Sequence, residues 1–187
     1  ENCSNVDEAL ERIQNCPVAF FLNLIVADRS GSAALVEIAE SRRALRRIDA
    51  SSDSSFVFAT NQFTLDGLVH ETPRRMWQSL VRYKAIERRI TEALPKVSSA
   101  QLRSLLSDKM PDGLTCHHYS ETLGTLWSMI FDLNEGAVDV CMGSPQLNPW
   151  RRFDLDPGMP AAEYSCKLPD EAADPAIFRH LEADEQP

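Results

Sequence analysis

Three adjacent residues, Cys116, His117 and His118, place a thiol beside two imidazoles. A cysteine and a histidine can form a thiol nucleophile with its base, and both residue types are common zinc ligands. However, adjacent residues of a β-strand point to opposite faces of the sheet, and no third ligand follows at a metal-binding spacing. The pattern therefore favours a structural use of these residues over a nucleophile or a metal site.

Two other polar residues have side chains suited to binding a substrate. The side-chain NH2 of Asn61 can donate a hydrogen bond without carrying a charge, although an Asn after a β-like segment is also an ordinary turn residue. Arg82 can bind a carboxylate, or it can tie a loop to the start of the helix that carries it. The residues alone favour the turn role for Asn61 and the loop-tying role for Arg82. Asp28 and Glu37, at the ends of β-like segments, are interpreted as turn acids.

The cysteines are odd in number and never form a C-x-x-C spacing; they are Cys3, Cys16, Cys116, Cys141 and Cys166. Structural disulfides use cysteines in pairs and are typical of secreted proteins, whereas zinc and redox sites use closely spaced cysteines. The pattern favours a reduced, cytoplasmic protein without a metal site.

The first part of the chain predicts a helix followed by a sheet. Asn5 and Glu8 form a capping-box pattern, and apolar residues then recur at helical spacing until Pro17. Four later segments are rich in β-favouring residues, and the first two flank a polar turn, as in a hairpin. These segments predict a sheet of at least four strands: 18–27, 33–39, 44–48 and 56–60.

The second half predicts two helices and a further group of strands. No Gly or Pro interrupts residues 76–94, where apolar residues recur at helical spacing, and Ser98 with Gln101 forms a capping box for the next helix. Three β-like segments follow at 125–133, 137–142 and 152–155. Helices that cover strands without alternating with each of them indicate an α+β fold.

Composition changes after Pro157, where the chain becomes rich in Pro, Asp, Glu and Ala. Such a segment has little apolar surface to bury. We therefore predict one folded domain at residues 1–157 and an acidic, loosely packed tail at residues 158–187.

The chain carries a formal net charge of -9 at pH 7. Nucleic-acid binding depends on clustered Lys and Arg that displace counterions, so this charge argues against a nucleic-acid partner. The longest apolar run, residues 18–27, contains Asn23 and is about half the length that a membrane-spanning helix needs. We predict no nucleic-acid partner and no membrane segment.

A series of short motifs resembles the penicillin acyltransferase-like family. Residues 56–63 (FVFATNQF) resemble its Thr-Asn-His-Phe region, and residues 79–82 (SLVR) resemble its Ser-x-x-Arg at the start of a long helix. Three later segments resemble its Ile-Cys-Arg-His stretch, its closing hairpin and its Gly-x-Pro turn: 115–118, 125–132 and 143–145. The order and approximate spacing of these motifs agree over residues 6–155, and the series is more specific than any one motif.

The resemblance implies an N-terminal-nucleophile (Ntn) enzyme with a four-layer αββα sandwich and antiparallel sheets. Residues 1–157 would form the C-terminal portion of that domain. In this family, which includes isopenicillin acyltransferases and is related to choloylglycine hydrolases, self-cleavage exposes a Cys that attacks a linear, non-peptide amide. The resemblance places that Cys before Glu1, so the missing N-terminal part of the same protein is an expected partner. No cofactor is implied, because the terminal amine serves as the base.

The resemblance also assigns roles to individual residues. It makes Asn61 the catalytic oxyanion-hole donor and places Thr60, Phe63 and Arg82 at the substrate site. Relatives often carry Arg at the position of His117, and several carry a Ser-Arg pair where this chain has residues 120–122 (SET). These departures mean that the resemblance does not extend to substrate identity or to competence in acyl transfer.

Two functional hypotheses follow. In the first, the chain is a segment of a Cys-dependent Ntn amidohydrolase or acyltransferase with a small-molecule amide or acyl substrate, and it supplies the oxyanion Asn61 and part of the pocket. The alternative is a non-catalytic Ntn-fold binding or assembly module that lacks the nucleophile.

Under the first hypothesis, the 187-residue chain alone is expected to show no amidase turnover and to self-associate as a homo-oligomer through uncovered apolar sheet surface. Hydrolysis of simple acyl amides that depends on one of its own cysteines would contradict the first expectation. A strictly monomeric species in light scattering over a broad concentration range would contradict the second.

Overall fold

The computed structural model describes residues 2–49, 56–71, 75–155, 163–182 and 185. Internal contacts divide the chain into two compact units, one formed by Glu1–Tyr83 with Phe178–Pro187 and the other by Lys84–Ile177. Each unit combines helical segments with antiparallel strands. The predicted α+β class with antiparallel sheets is therefore confirmed, and it is compatible with an Ntn-like sandwich.

The first helix, α1 (Val6–Asn15), begins where side chains supply acceptors for its free backbone donors. Asn5 is the N-cap, and its Oδ1 accepts a hydrogen bond from Glu8 N at 2.9 Å. Asp28, from the turn between the first two strands, accepts from Val6 N at 2.9 Å through Oδ2. The predicted cap at Asn5 is confirmed, and Asp28 is a second acceptor from outside the helix.

A three-stranded antiparallel sheet follows α1 and has the order β1-β2-β3, with bounds Leu22–Ala27, Ala33–Ala39 and Arg42–Ile48. The central strand β2 is buried over nearly its whole length. Because it is covered on both faces, its sequence is apolar at consecutive positions and does not alternate. The predicted hairpin and the strand at 44–48 are confirmed, with β1 shorter and β3 longer than predicted.

The predicted strand at residues 56–60 is wrong, and with it the sheet of at least four strands. Within the described residues this segment joins no β-ladder. Instead, the side chain of Asn23 on β1 donates from Nδ2 to Thr60 O at 2.6 Å and to Gln62 O at 3.0 Å. A side-chain amide thus satisfies carbonyl groups that strand pairing would otherwise satisfy.

Two helices follow, α2 (Trp77–Ala93) and α3 (Ser99–Ser107), close to their predicted positions. The first turns of α2 belong to the first unit and its remainder to the second. Ser98 caps α3: Gln101 N donates to Ser98 Oγ at 3.3 Å, and Ser98 N donates to Gln101 Oε1 at 2.9 Å. The predicted capping box is confirmed with both of its hydrogen bonds.

The second unit contains a short strand pair, β4 (His117–His118) with β5 (Leu123–Gly124), and a three-stranded antiparallel sheet. This sheet has the order β6-β7-β8, with bounds Trp127–Asp132, Ala137–Met142 and Arg151–Asp154. Gly136 in the β6–β7 turn has φ 67°, a left-handed conformation that favours glycine. The predicted hairpin and last strand are confirmed to within about two residues.

One face of β6 presents apolar side chains to solvent. Trp127, Met129 and Phe131 alternate along the strand and are 58%, 41% and 56% exposed. Large uncovered apolar side chains on one sheet face favour association. This face is the surface that the expected self-association requires, and that expectation stays a prediction.

The predicted boundary between domain and tail falls within residues 156–162, outside the described residues, so the division into 1–157 and 158–187 stays a prediction. Residues 163–182 are mostly exposed but hydrogen-bonded to other segments of their own units. Glu171 N donates to His117 O at 2.8 Å, and Trp77 N donates to Arg179 O at 3.0 Å. None of the helices in the described part of the chain combines the length and apolar content needed to cross a membrane.

Candidate active site

The backbone at Thr60 and Asn61 is tied to the first turn of α2 by one buried hydroxyl. Ser79 Oγ donates to Thr60 Oγ1 at 3.0 Å and accepts from Asn61 N at 3.0 Å. Ser79 has no exposed surface, so its hydroxyl does not exchange these partners for water. The loop position of Asn61 is therefore set by the helix.

The side chain of Asn61 contacts a second residue of α2. Arg82 Nη2 donates to Asn61 Oδ1 at 2.8 Å. A guanidinium has only donors, so the atom of the Asn61 amide that faces it must be the oxygen. The NH2 group consequently points away from Arg82, and it makes no hydrogen bond to any other described residue. Asn61 is exposed, so this donor is open to a ligand.

The guanidinium of Arg82 is itself held by its own helix. Nε donates to Gln78 Oε1 at 3.0 Å and to Gln78 O at 3.2 Å, and Nη2 also donates to Gln78 Oε1. Gln78 is buried. These bonds lie on one turn of α2, so they fix the direction in which Arg82 approaches Asn61.

The segment that follows Asn61 is fixed by a buried carboxylate. Glu37 lies within β2, opposite Asn23 and Ala44, and it has no exposed surface. Its Oε1 accepts from Thr64 N at 2.6 Å and from Thr64 Oγ1 at 3.0 Å, and its Oε2 accepts from Leu65 N at 3.0 Å. The interpretation of Glu37 as a turn acid is wrong, because the residue is central in a strand and anchors a distant loop.

Phe63, which the sequence places at the substrate site, lies in the core. It is 4% exposed and forms an apolar cluster with Ala39 and Leu68, and its ring centroid is 5.9 Å from that of Phe21. Thr60 and Asn61 share the hydroxyl of Ser79 as a hydrogen-bond partner, and Arg82 donates to the Asn61 side chain. The predicted site residues are thus close together, while Phe63 anchors the same loop from its buried side.

The segment with Cys116 and two histidines lies in the second unit. His117 is buried, and its Nδ1 is 3.1 Å from Glu171 Oε1, whereas Cys116 Sγ is 4.0 Å from Thr125 Oγ1. Thiol and imidazole thus face different partners. Within the described ranges, no group of three His, Cys, Asp or Glu residues is arranged to hold a metal ion.

Glu171 connects the segment after residue 162 to β4 and gives a testable pH dependence. Its carboxylate accepts from Lys109 Nζ at 2.6 and 2.7 Å and lies beside His117. Hydrogen bonds from Lys109 and then from His117 hold the pKa of Glu171 below its ordinary value. A carboxyl with a lowered pKa stabilises the fold above the pKa of the unfolded chain, and this contribution is lost as pH falls through the folded-state pKa.

We therefore expect Glu171→Gln to lower the melting temperature at pH 7. The loss in free energy of unfolding should be no more than about 1 kcal/mol, because the carboxylate is partly exposed. The difference from the wild type should shrink as pH falls through the lowered folded-state pKa of Glu171, where its carboxylate becomes protonated. Thermal melts of both proteins at pH 7 and pH 3 measure this, with Glu163→Gln, an exposed residue of the same segment, as the control. A difference that stays constant with pH would contradict the prediction.

The helices and antiparallel sheets make this an α+β protein whose fold is compatible with an Ntn-like sandwich. Comparison with models of protein families identifies the family. The model of the acyl-coenzyme A:6-aminopenicillanic acid acyl-transferase family matches residues 1–147, and the chain belongs to that family. The resemblance to penicillin acyltransferase-like enzymes is confirmed, and the matched range contains Asn61, Ser79 and Arg82. None of the curated proteins that were compared with the chain matches it.

Proposed function

We propose that this chain is the part of a Cys-dependent Ntn amidohydrolase or acyltransferase that supplies the oxyanion donor, Asn61, and part of the pocket for a linear, non-peptide amide or acyl substrate. The observation that supports the proposal most directly is the orientation of Asn61. Its backbone N–H is held by Ser79, its Oδ1 is held by Arg82, and its NH2 is exposed.

The chemistry needs a donor of this kind. When a thiolate attacks an amide carbonyl, the carbonyl oxygen gains negative charge in the tetrahedral intermediate. A donor that is already oriented stabilises this charge without reorganising during the reaction. Asn61 is neutral, so it can donate to the oxyanion without binding a free anion strongly in the resting state.

Thr60 and Phe63 contribute to the proposed site by fixing the loop that carries Asn61. Thr60 Oγ1 accepts a hydrogen bond from the hydroxyl of Ser79, and Phe63 packs in the core beneath the loop. Together they hold the segment on both sides of Asn61. An amide substrate would then meet a loop whose backbone is fixed at both flanking positions.

The proposal is tested on the full-length protein. Mass spectrometry of the mature chain should find a subunit that begins with a Cys preceding Glu1. The protein should hydrolyse penicillin V or phenylacetyl-4-nitroanilide, and iodoacetamide labelling of that Cys, located by peptide mapping, should abolish turnover. An uncleaved protein that hydrolyses neither amide would contradict the proposal and support the non-catalytic binding module.

A further inference from the structure

We infer that Arg82 is a positioning residue that selects which end of the Asn61 side-chain amide faces the substrate. The inference rests on the proposed function, because it concerns the same donor. It assigns Arg82 an action through Asn61, in place of the direct substrate contact that the sequence predicts.

An Asn side-chain amide has two orientations that fit the same space. Rotation by about 180° exchanges Oδ1 and Nδ2, which are nearly equal in size but opposite in hydrogen-bonding sense. With Oδ1 toward Arg82, the pair forms an N–H···O bond of 2.8 Å. In the reverse orientation, two donors would face each other and the oxygen would point toward the substrate. An oxygen in that place would repel a developing oxyanion.

The charge of Arg82 strengthens this selection. A hydrogen bond from a charged donor is about twice as strong as one between neutral groups, so a guanidinium holds Oδ1 more firmly than a neutral side chain would. The same bond draws electron density toward Oδ1 and makes the outward NH2 a better donor. Gln78 Oε1 accepts hydrogen bonds from Nε and Nη2 of Arg82 and so keeps the guanidinium in this position.

Ser79 and Arg82 both connect α2 to the loop that carries Asn61, but they bind different groups of it. Ser79 ties the backbone of the loop to α2 through Asn61 N and Thr60 Oγ1. Arg82 instead donates to the side-chain oxygen of Asn61. The two α2 residues thus act on different parts of Asn61, the backbone and the side chain, so their variants can be separated experimentally.

The test uses Arg82→Met and Arg82→Lys in the full-length enzyme, with hydrolysis of penicillin V as the assay. Met keeps an apolar stem of similar length and removes every donor, whereas Lys keeps a charged donor. Arg82→Met should lower kcat by about tenfold or more and change KM little, because about nine-tenths or more of the Asn61 amides would lose the productive orientation. Arg82→Lys should recover part of kcat.

The decisive measurement is the double variant Arg82→Met with Asn61→Ala. If Arg82 acts through Asn61, the double variant should have the kcat of Asn61→Ala alone, because the second change removes nothing further. Losses that multiply, a KM that rises with kcat unchanged, or a lower melting temperature with normal kcat per folded molecule would each overturn the inference. The first two would favour direct substrate contact and the third a structural role.

Failure of the inference differs from failure of the proposed function. If Asn61→Ala turns over penicillin V as well as the wild type, or if the full-length protein has no turnover at all, the proposed function fails and this inference fails with it. If Asn61→Ala lowers kcat while Arg82→Met does not, the oxyanion role stands and only the positioning role is overturned.

Discussion

Asn61→Ala in the full-length enzyme is expected to lower kcat on the order of 100- to 1,000-fold, equivalent to roughly 3 to 4 kcal/mol of transition-state stabilisation, with little change in KM. A fixed donor interacts more strongly with the oxyanion than with the neutral carbonyl of the bound substrate, so its removal affects the transition state selectively. Steady-state kinetics on penicillin V, with kcat and KM resolved, measure this expectation.

A turn residue would behave differently, and the melting temperature shows the difference. If Asn61 only supports the loop, Asn61→Ala should lower thermal stability and leave kcat per folded molecule nearly unchanged. Asn134→Ala provides a matched control, because Asn134 is an exposed Asn in the turn between β6 and β7. An Asn61→Ala variant that melts earlier but turns over normally would rule out the oxyanion assignment.

The helix caps and the hairpins could be predicted from sequence because their signals are local. The caps at Asn5 and Ser98 join residues three positions apart, and the β6–β7 turn depends on Gly136. In each case the residues that decide the structure lie within one window of sequence. Adjacent residues therefore carry enough information to place these elements to within a few positions.

Residues 56–60 show what a local sequence pattern does not predict. Residues 56–60 have the composition of a strand, but composition does not reveal which group will satisfy their backbone. The partner of Thr60 O is the side chain of Asn23, 37 positions away. An Asn in an apolar strand signals that some polar partner exists, yet nothing in the sequence identifies that partner.

The candidate site was partly predictable for a different reason. Resemblance to family motifs predicts Asn61, Thr60 and Arg82 as site residues, and the structure brings them together. Ser79 belongs to the same motif but had no predicted role. Its hydroxyl acts on residues 18 and 19 positions earlier, a relation that only the packed loop reveals.

The role of Glu37 also depends on residues distant in sequence. Its replacement should have a large effect on the free energy of unfolding. A carboxylate with no exposed surface in an apolar strand requires donors, and Thr64 and Leu65 supply them. Glu37→Ala would leave two backbone N–H groups without their acceptor and create a small cavity. A fully buried donor left unsatisfied costs about 1 to 3 kcal/mol, and the partly buried N–H of Thr64 costs less because water can reach it, so we expect the variant to lose about 2 to 4 kcal/mol.

Chemical denaturation of the full-length protein measures the loss as a lower midpoint with an unchanged slope. Asp66→Ala is the matched control, since Asp66 is an exposed carboxylate next to Leu65, and its replacement should change stability by less than about 0.5 kcal/mol. Glu37→Gln keeps the volume but replaces one acceptor oxygen by a donor, so it should fall between the wild type and Glu37→Ala. Equal midpoints for Glu37→Ala and Asp66→Ala would show that Glu37 does not hold the loop. A loss confined to Glu37 would show that the segment after Asn61 depends on a strand acid distant in sequence.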